Sequence, residues 1–288
     1  MEDILDYEKF KERFISELYE YVPDGVKLFV NTDGINESVI YDDGSGNAIK
    51  PSYKLKVAYK MYESGYELER MALSVANELY KGVYSANYNL IEKQYKNLSN
   101  KEYMLANAVI QIADKNYKKE ISEAPHINIP GTHLCAIFRV IADRKNGQIL
   151  SFVVTKKLME NAGLTVKDMY MAAMKNLLDD GFAIEIINER KDMYKISTNS
   201  EMYGASVLMF SDILDQLADK MEGDYFILPS SVHELIIIPA AIDDNPYMFA
   251  KILKTIVMNV NESVNETDIL SESVFIYKEK EKRIIEIA

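Results

Sequence analysis

The stretch that decides the fold runs His133-Leu134-Cys135-Ala136-Ile137-Phe138-Arg139-Val140-Ile141-Ala142-Asp143-Arg144-Lys145-Asn146-Gly147-Gln148-Ile149-Leu150-Ser151-Phe152-Val153-Val154. Leu134–Ala142 is apolar and rich in β-branched side chains, which pack well on a pleated surface. Lys145-Asn146-Gly147 then reverses the chain, because Asn and Gly accept positive φ, and Gln148–Val154 pairs back as the second arm of a hairpin. An antiparallel sheet therefore nucleates the second half of the molecule.

Toward the C-terminus, hairpins and short helices alternate. Thr155 is placed to cap a helix that Gly163 stops. Thr165-Val166-Lys167-Asp168 opens another in capping-box form, running to Leu178. Ala183–Asn188 and Met193–Thr198 read as a hairpin, and Ser206–Phe210 as a strand. Ser211 caps a helix whose Ile213, Leu214, Leu217, Ala218 and Met221 share one face. Tyr225–Leu228 and His233–Ile238 flank Pro229-Ser230-Ser231-Val232. Pro246 opens a helix through Phe249, Ile252, Leu253, Ile256 and Val257, and Val274–Tyr277 with Arg283–Ile287 closes as a strand pair.

Toward the N-terminus the pattern turns helical. Ile4, Leu5, Phe10, Phe14, Ile15, Leu18 and Tyr19 recur at helical spacing up to Pro23-Asp24-Gly25. Short strands at Lys27–Asn31 and Ser38–Tyr41, a turn at Asp42–Asn47 and an extended piece at Pro51–Leu55 lead into helices over 55–63 and 66–83. Ser99-Asn100-Lys101-Glu102 reads as a capping box whose helix continues through Leu105, Val109, Ile112 and Ala113. The run Ala124-Pro125-His126-Ile127-Asn128-Ile129-Pro130-Gly131 breaks that periodicity. The expected class is α+β: a mainly antiparallel sheet with inserted and flanking helices and a helical N-terminal lobe. The expected division is 1–123, mostly helical with short strands, and 124–288, an α+β lobe.

Composition works mainly by exclusion. With 48% hydrophobic and 27% charged residues the chain is a folded protein rather than a disordered one. Asp and Glu outnumber Lys and Arg by 45 to 33, for a net charge of -12. Duplex affinity comes largely from phosphate neutralisation, so general duplex nucleic-acid binding is not expected. The single cysteine, Cys135, excludes an internal disulfide framework and a Cys-rich zinc site. A basic, apolar leader is absent and no apolar run is long enough to span a bilayer. The expectation is a cytoplasmic protein with no membrane contact.

The candidate chemistry is sparse. Ser230, Ser231, His233 and Glu234 form the densest cluster of nucleophile, base and carboxylate. Side chains at i and i+2 of a strand stand about 6–7 Å apart, beyond the about 3 Å reach at which a base activates a hydroxyl. An architectural role is expected for Ser231, His233 and Glu234, with a hydrolase as the alternative. Three histidines without helical ligand spacing suggest no metal site, and neither a dinucleotide nor a Walker glycine pattern suggests a cofactor. Cys135 reads as a small buried hydrophobe. Tyrosine is abundant, with 20 residues against 10 Phe and no Trp. Tyr80, Tyr84, Tyr88 and Tyr95 are the candidate binding residues, because Tyr buries area at low entropy cost.

One segment carries a resemblance. Tyr225-Phe226-Ile227-Leu228-Pro229-Ser230-Ser231-Val232-His233-Glu234 and the following Leu235–Pro239 resemble the most recognisable motif of an uncharacterised domain-of-unknown-function family of anaerobic Gram-positive gut bacteria. Gly204–Leu208, Asn116–Val140 and Ile49–Leu55 are similar to its other segments in order. The family's members often lie on mobile elements. That resemblance implies a role in element maintenance, regulation or counter-defence and supplies no catalytic residues. The resulting expectation is a non-enzymatic binding or regulatory protein, acting on a protein partner or by self-association.

Overall fold

The computed structural model describes residues 4–33, 36–47, 49–83, 85–116, 124–145, 148–190, 192–242, 245–262 and 268–288. Its contacts divide the chain into two compact units, Met1–Asn97 and Leu98–Ala288.

In the first unit, α1 (Tyr7–Tyr19) starts where Asp6 accepts a hydrogen bond from the Lys9 backbone N–H. Then come β1 (Lys27–Asp33), β2 (Asn36–Asp42) and β3 (Ser52–Lys54), an antiparallel sheet in chain order. The helices α2 (Leu55–Glu63), α3 (Leu68–Val83) and α4 (Ala86–Lys96) follow. Phe10, Phe14 and Leu18 of α1 meet Val39 of β2 and Met71, Ala72 and Val75 of α3 in one core. Much of the tyrosine excess goes into this core or its edge. Tyr59 and Tyr62 pack on Phe10, and the Tyr59 and Tyr19 hydroxyls donate to the carbonyls of Leu5 and Leu28.

The second unit opens with α5 (Lys101–Ala106). Its cap is Asn100, which accepts from the Tyr103 N–H, rather than the Ser99 expected from the sequence. The expected continuation through Ala113 is instead β4 (Ala108–Asp114), all seven residues of which are buried. The Asn176 side chain ends α5 by donating to the carbonyls of Leu105 and Ala108, and Val109, Ile110 and Ile112 then suit an extended, fully covered strand. β5 (His126–Asn128), β6 (Leu134–Lys145) and β7 (Gln148–Val153) complete this sheet, with β6 pairing β4, β5 and β7. The hairpin arms pair as read, up to Lys145 opposite Gln148; Asn146 and Gly147 lie outside the described residues. Because β4 pairs along its whole length with β6, the observed division falls at Asn97, ahead of the 123/124 boundary expected from the sequence.

The rest builds a second antiparallel sheet. α6 (Lys156–Asn161) and α7 (Val166–Asp180) start on Thr155 and Thr165, the latter in a complete capping box with Asp168. β8 (Phe182–Ile186) and β9 (Tyr194–Thr198) are followed by a 3-10 helix, Gly204–Met209, where a strand was expected. Tyr203 enters it at φ 51°, and a Cβ on Gly204 would lie 2.4 Å from both the His233 carbonyl oxygen and Ser197 Cα. That close approach rolls the chain into a tight coil instead of a ladder. Phe210, not Ser211, caps α8 (Ser211–Met221), whose Leu214, Leu217 and Met221 are buried as expected. β10 (Tyr225–Leu228), β11 (Glu234–Pro239), α9 (Pro246–Asn261), β12 (Phe275–Lys278) and β13 (Arg283–Glu286) complete the chain. The six-stranded order is β13-β12-β10-β11-β9-β8, antiparallel throughout. Both units thus combine helices with antiparallel sheets, and the fold is α+β. Among the described residues no helix is long and apolar enough to cross a membrane.

Candidate functional site

Two histidines in the second unit sit beside a serine and a carboxylate, and they are built differently. The first is His233, at the start of β11. Ser231 Oγ accepts the His233 backbone N–H at 3.0 Å, and the Ser231 N–H donates to the Glu234 carbonyl at 3.2 Å. Ser230 Oγ donates to Glu234 Oε1 at 3.1 Å. The His233 ring accepts the Tyr203 N–H on Nδ1 at 3.2 Å and turns Nε2 toward Asp268 at 3.7 Å. The His233 carbonyl accepts from Ser197 Oγ at 2.7 Å and the Gly204 N–H at 3.0 Å. Among the described residues no hydrogen bond joins Ser231 Oγ to the imidazole. The structure brings Ser231, His233 and Glu234 together, but through backbone groups: a tight connection from β10 to β11 locked onto the 3-10 helix.

The second is His133, ahead of β6. Its Nε2 lies 2.8 Å from Asp114 Oδ2 and 3.1 Å from Ser271 Oγ, and its Nδ1 lies 2.6 Å from Glu286 Oε2. Ser271 Oγ donates to Asp114 Oδ2 at 2.9 Å and accepts the Ser273 N–H at 3.2 Å. Asp114 Oδ1 takes the Asn116 N–H at 2.8 Å, and Ser273 Oγ donates to Glu286 Oε1 at 2.8 Å. The loop entering His133 is held against β13. A Cβ on Gly131, at φ +80°, would come 2.2 Å from the Ile284 carbonyl oxygen, and the Gly131 carbonyl accepts the Glu286 N–H.

Serine, histidine and carboxylate in a hydrogen-bonded row have the outline of a nucleophilic triad. The proton bookkeeping opposes that chemistry, since an activated serine must give its proton to the imidazole, whereas Ser271 aims it at Asp114. Ser271 is 1% exposed and Asp114 0%, so no substrate carbonyl reaches the hydroxyl. The arrangement is a buried clamp joining the end of β4 to the C-terminal strands. The sequence does not single out His133. Asp114, Ser271 and Glu286 are far away along the chain, and no local spacing signals them.

The other candidates fall as follows. Cys135 is fully buried, and burial pushes its thiol up to about 11, which keeps it protonated and unreactive near neutrality. His126 is exposed on β5. Among the described residues no group of His, Cys, Asp and Glu is arranged to hold a metal ion. Tyr80 is exposed on α3 and Tyr95 half-buried on α4, whereas Tyr84 and the Tyr88 side chain lie outside the described residues. A cavity of about 80 Å³ is lined by Asn107, Arg144, Asn176, Asp180 and Ser200. That is room for a few waters, well below the roughly 300 Å³ at which ligand pockets begin.

The sequence reading placed a helix at Pro246 but did not single out the outer side of α9. Ala250, Leu253 and Val257 fill a core with Phe226, Leu228, Ile238 and Ile276 of the six-stranded sheet. The opposite side carries Met248, Ile252 and Ile256, all exposed. The signal was available: Pro246–Asn261 contains no Asp or Glu and has apolar residues on every side. Of the periodic residues of this helix, Ile252 and Ile256 face outward and Leu253 and Val257 inward.

Residues 7–279 match the family of unknown function DUF5688, a span holding α9, Asp114, His133, Ser271 and the Pro229–Glu234 connection. The chain belongs to that family. Membership of DUF5688 agrees with the resemblance at the level of a family without an assigned function. No curated protein and no solved structure matches the chain. Glu286 of the His133 clamp lies beyond the residues matched to DUF5688.

Proposed function

We propose that this protein is a non-enzymatic binding or regulatory protein that works through a protein interface. The observation that carries this reading is the outer side of α9, where Tyr247, Met248, Ile252 and Ile256 are 67%, 56%, 57% and 52% exposed. A helix that is apolar all round is normally covered all round, and a contiguous apolar patch on a folded chain marks a contact surface. Tyr80, Tyr84, Tyr88 and Tyr95 are the second set of candidate contact residues, on the general preference of interfaces for tyrosine. The setting we propose is the cytoplasm of an anaerobic Gram-positive bacterium, with a part in the maintenance or counter-defence of a mobile element. That setting rests on the family resemblance alone, carried by Tyr225–Pro239 and the three further segments.

The test uses a photo-crosslinking side chain at Met248 and, as control, at the exposed Lys175 of α7, in cells that naturally make the protein. A discrete protein adduct at position 248 and none at 175 is expected. In parallel, a fluorophosphonate that tags activated serines should leave the protein unlabelled. No adduct at 248, together with covalent tagging of Ser231, would replace the interface by a hydrolase using Ser231, His233 and Glu234.

A further inference from the structure

We propose that β8 pairs with β8 of a second copy of this chain, antiparallel about a two-fold axis through Ile184, so that the two six-stranded sheets become one continuous sheet; this surface does not involve α9. β8 is an end strand of its sheet, with β9 as its one neighbour among the described residues. The Asn199 N–H donates to the Gly181 carbonyl and the Ile187 N–H to the Met193 carbonyl, at the two ends of the β8–β9 register. Bonded pairs alternate along an antiparallel ladder. Ala183 and Glu185 therefore also bond to β9, while Phe182, Ile184 and Ile186 turn their N–H and C=O groups to the open side. Among the described residues these outward groups have no hydrogen-bond partner.

Free sheet edges are normally blunted by Lys, Pro, a bulge or a covering loop. The opposite edge of the same sheet is covered in this way: the Glu286 N–H of β13 donates to the Gly131 carbonyl, and Gly131 packs against the Ile284 carbonyl. β8, Phe182-Ala183-Ile184-Glu185-Ile186, has none of these devices. It contains no Lys or Pro, and its register with β9 is unbroken. Its one charge, Glu185, is paired with Lys195 at 3.0 Å. Ile184 and Ile186 are 40% and 51% exposed, whereas Ile196, opposite Ile184 on β9, is fully buried. The apolar layer of the sheet stops at β8 for want of a further strand.

The side chains choose the occupant. With the axis at Ile184, Phe182 faces the partner's Ile186, Ile184 the partner's Ile184, and Ala183 the partner's Glu185. One face then carries an apolar row in which Ile196 and Ile184 are continued by the same two residues of the second copy. On the other face each Lys195–Glu185 pair adjoins an alanine, and no like charges stand opposite one another. Moving the axis by one residue loses this fit. At Glu185 it sets two carboxylates face to face, and at Ala183 it sets Ile186 against the partner's Asp180. The pattern thus specifies one register. An isologous contact requires such self-complementarity, whereas the strand of an unrelated protein does not. Five residues of edge make a small interface, so the dimer should depend on concentration.

The experiment traps the register with single cysteines in the full chain, whose native Cys135 is fully buried. In Ile184→Cys the two introduced thiols stand opposite one another, with Cα atoms about 5.5 Å apart, inside the range that a disulfide spans. In Ile186→Cys they lie about 14 Å apart along the strands, out of reach. Mild oxidation with copper phenanthroline should turn most of Ile184→Cys into a covalent dimer on a non-reducing gel. Ile186→Cys and the exposed control Lys175→Cys should give about tenfold less, the yield of random encounter outside disulfide geometry. Sedimentation of the wild type should show a monomer–dimer equilibrium that Ile186→Lys abolishes, because an edge lysine blocks strand pairing. Ile252→Glu, on the outer side of α9, should leave that equilibrium unchanged. Equal disulfide yields at the three positions, or none for Ile184→Cys, overturn the pairing. So does a wild type that sediments as a monomer throughout the concentration range used for crosslinking. A dimer dissolved by Ile252→Glu but not by Ile186→Lys also overturns it and moves self-association to α9. Should Ile186→Lys fail to fold, the disulfide yields decide alone.

Discussion

His133 and His233 both stand within reach of a serine and a carboxylate, yet they hold the fold in different ways. At His133 the bonds run from side chain to side chain and tie β4 to the C-terminal hairpin, with Asp114 wholly buried. At His233 they run mostly from side chain to backbone, and the ring is 32% exposed. The first depends on the imidazole. The second depends on the path of the main chain. Proximity of Ser, His and Asp or Glu is thus a poor guide to chemistry until each hydroxyl proton and each N–H has been assigned a partner.

The comparison breaks most sharply at His133. His133→Ala leaves the Asp114 carboxylate buried opposite a void, and removal of one member of a buried pair costs about 3–5 kcal/mol. Urea unfolding of the second unit should shift accordingly, and Asp114→Ala in the same chain should recover part of the loss. Additive losses in the double variant would mean that the two groups are not coupled.

At His233 the backbone is the sensitive part. Gly204→Ala sets a Cβ 2.4 Å from the His233 carbonyl oxygen and from Ser197 Cα, where neither backbone atom gives way easily. A loss of about 1–3 kcal/mol or more is expected, as for overpacking in a close-packed interior. His233→Ala, which removes the ring and keeps the carbonyl, should cost less. The reverse ranking would show that the ring, not the main chain, secures this connection.

The lone cysteine reports on the His133 side. Cys135 pairs with Ala113 and Asn128 between β4 and β5, and its thiol is pushed up to about 11 by burial, with nearby Asp114 raising it and Lys115 opposing. The raised value means that the folded state holds the proton longer than the unfolded one. The group's contribution to stability is therefore full below its unfolded value of 9.0 and is lost as pH rises from there through about 11. Below pH 9, labelling by iodoacetamide should be slow in the wild type and faster in His133→Ala, where the sheet edge opens. Rapid labelling of the wild type at neutral pH would contradict the burial of this strand.

Local signals in the sequence were legible and distant ones were not. The Thr165–Asp168 capping box and the β6–β7 arms were read correctly, because their determinants lie within a few residues of each other. The end of α5 was not, because Asn176 supplies its stop from 71 residues away, and the helical spacing of Leu105, Val109 and Ile112 looked continuous without it. The strand expected at Ser206–Phe210 failed for the same reason: the approach of Gly204 to Ser197 and His233 is a tertiary event. The His133 clamp spans 153 residues to Glu286. The outer side of α9 was visible in principle, as a helix with no acid and too many apolar positions for one face.

The smallest effect belongs to Ser231, and it separates the two readings of the Pro229–Glu234 connection. In the structure Ser231 Oγ has one described role, accepting the His233 N–H at 3.0 Å in a half-buried turn. Ser231→Ala removes that acceptor from a neutral backbone bond, so about 1 kcal/mol of stability should go, the usual net value of one such bond. Binding through α9 should not change, because the serine touches no residue of that helix among its described bonds. A nucleophilic serine would behave in the opposite way, with stability retained and activity lost by orders of magnitude, since nothing else in the site replaces its oxygen. Measuring the unfolding midpoint and the crosslinking yield at position 248 in the same variant therefore decides the matter. A midpoint lowered slightly with the adduct intact fits a structural turn, whereas an unmoved midpoint with the adduct gone would place Ser231 in the working surface of the protein.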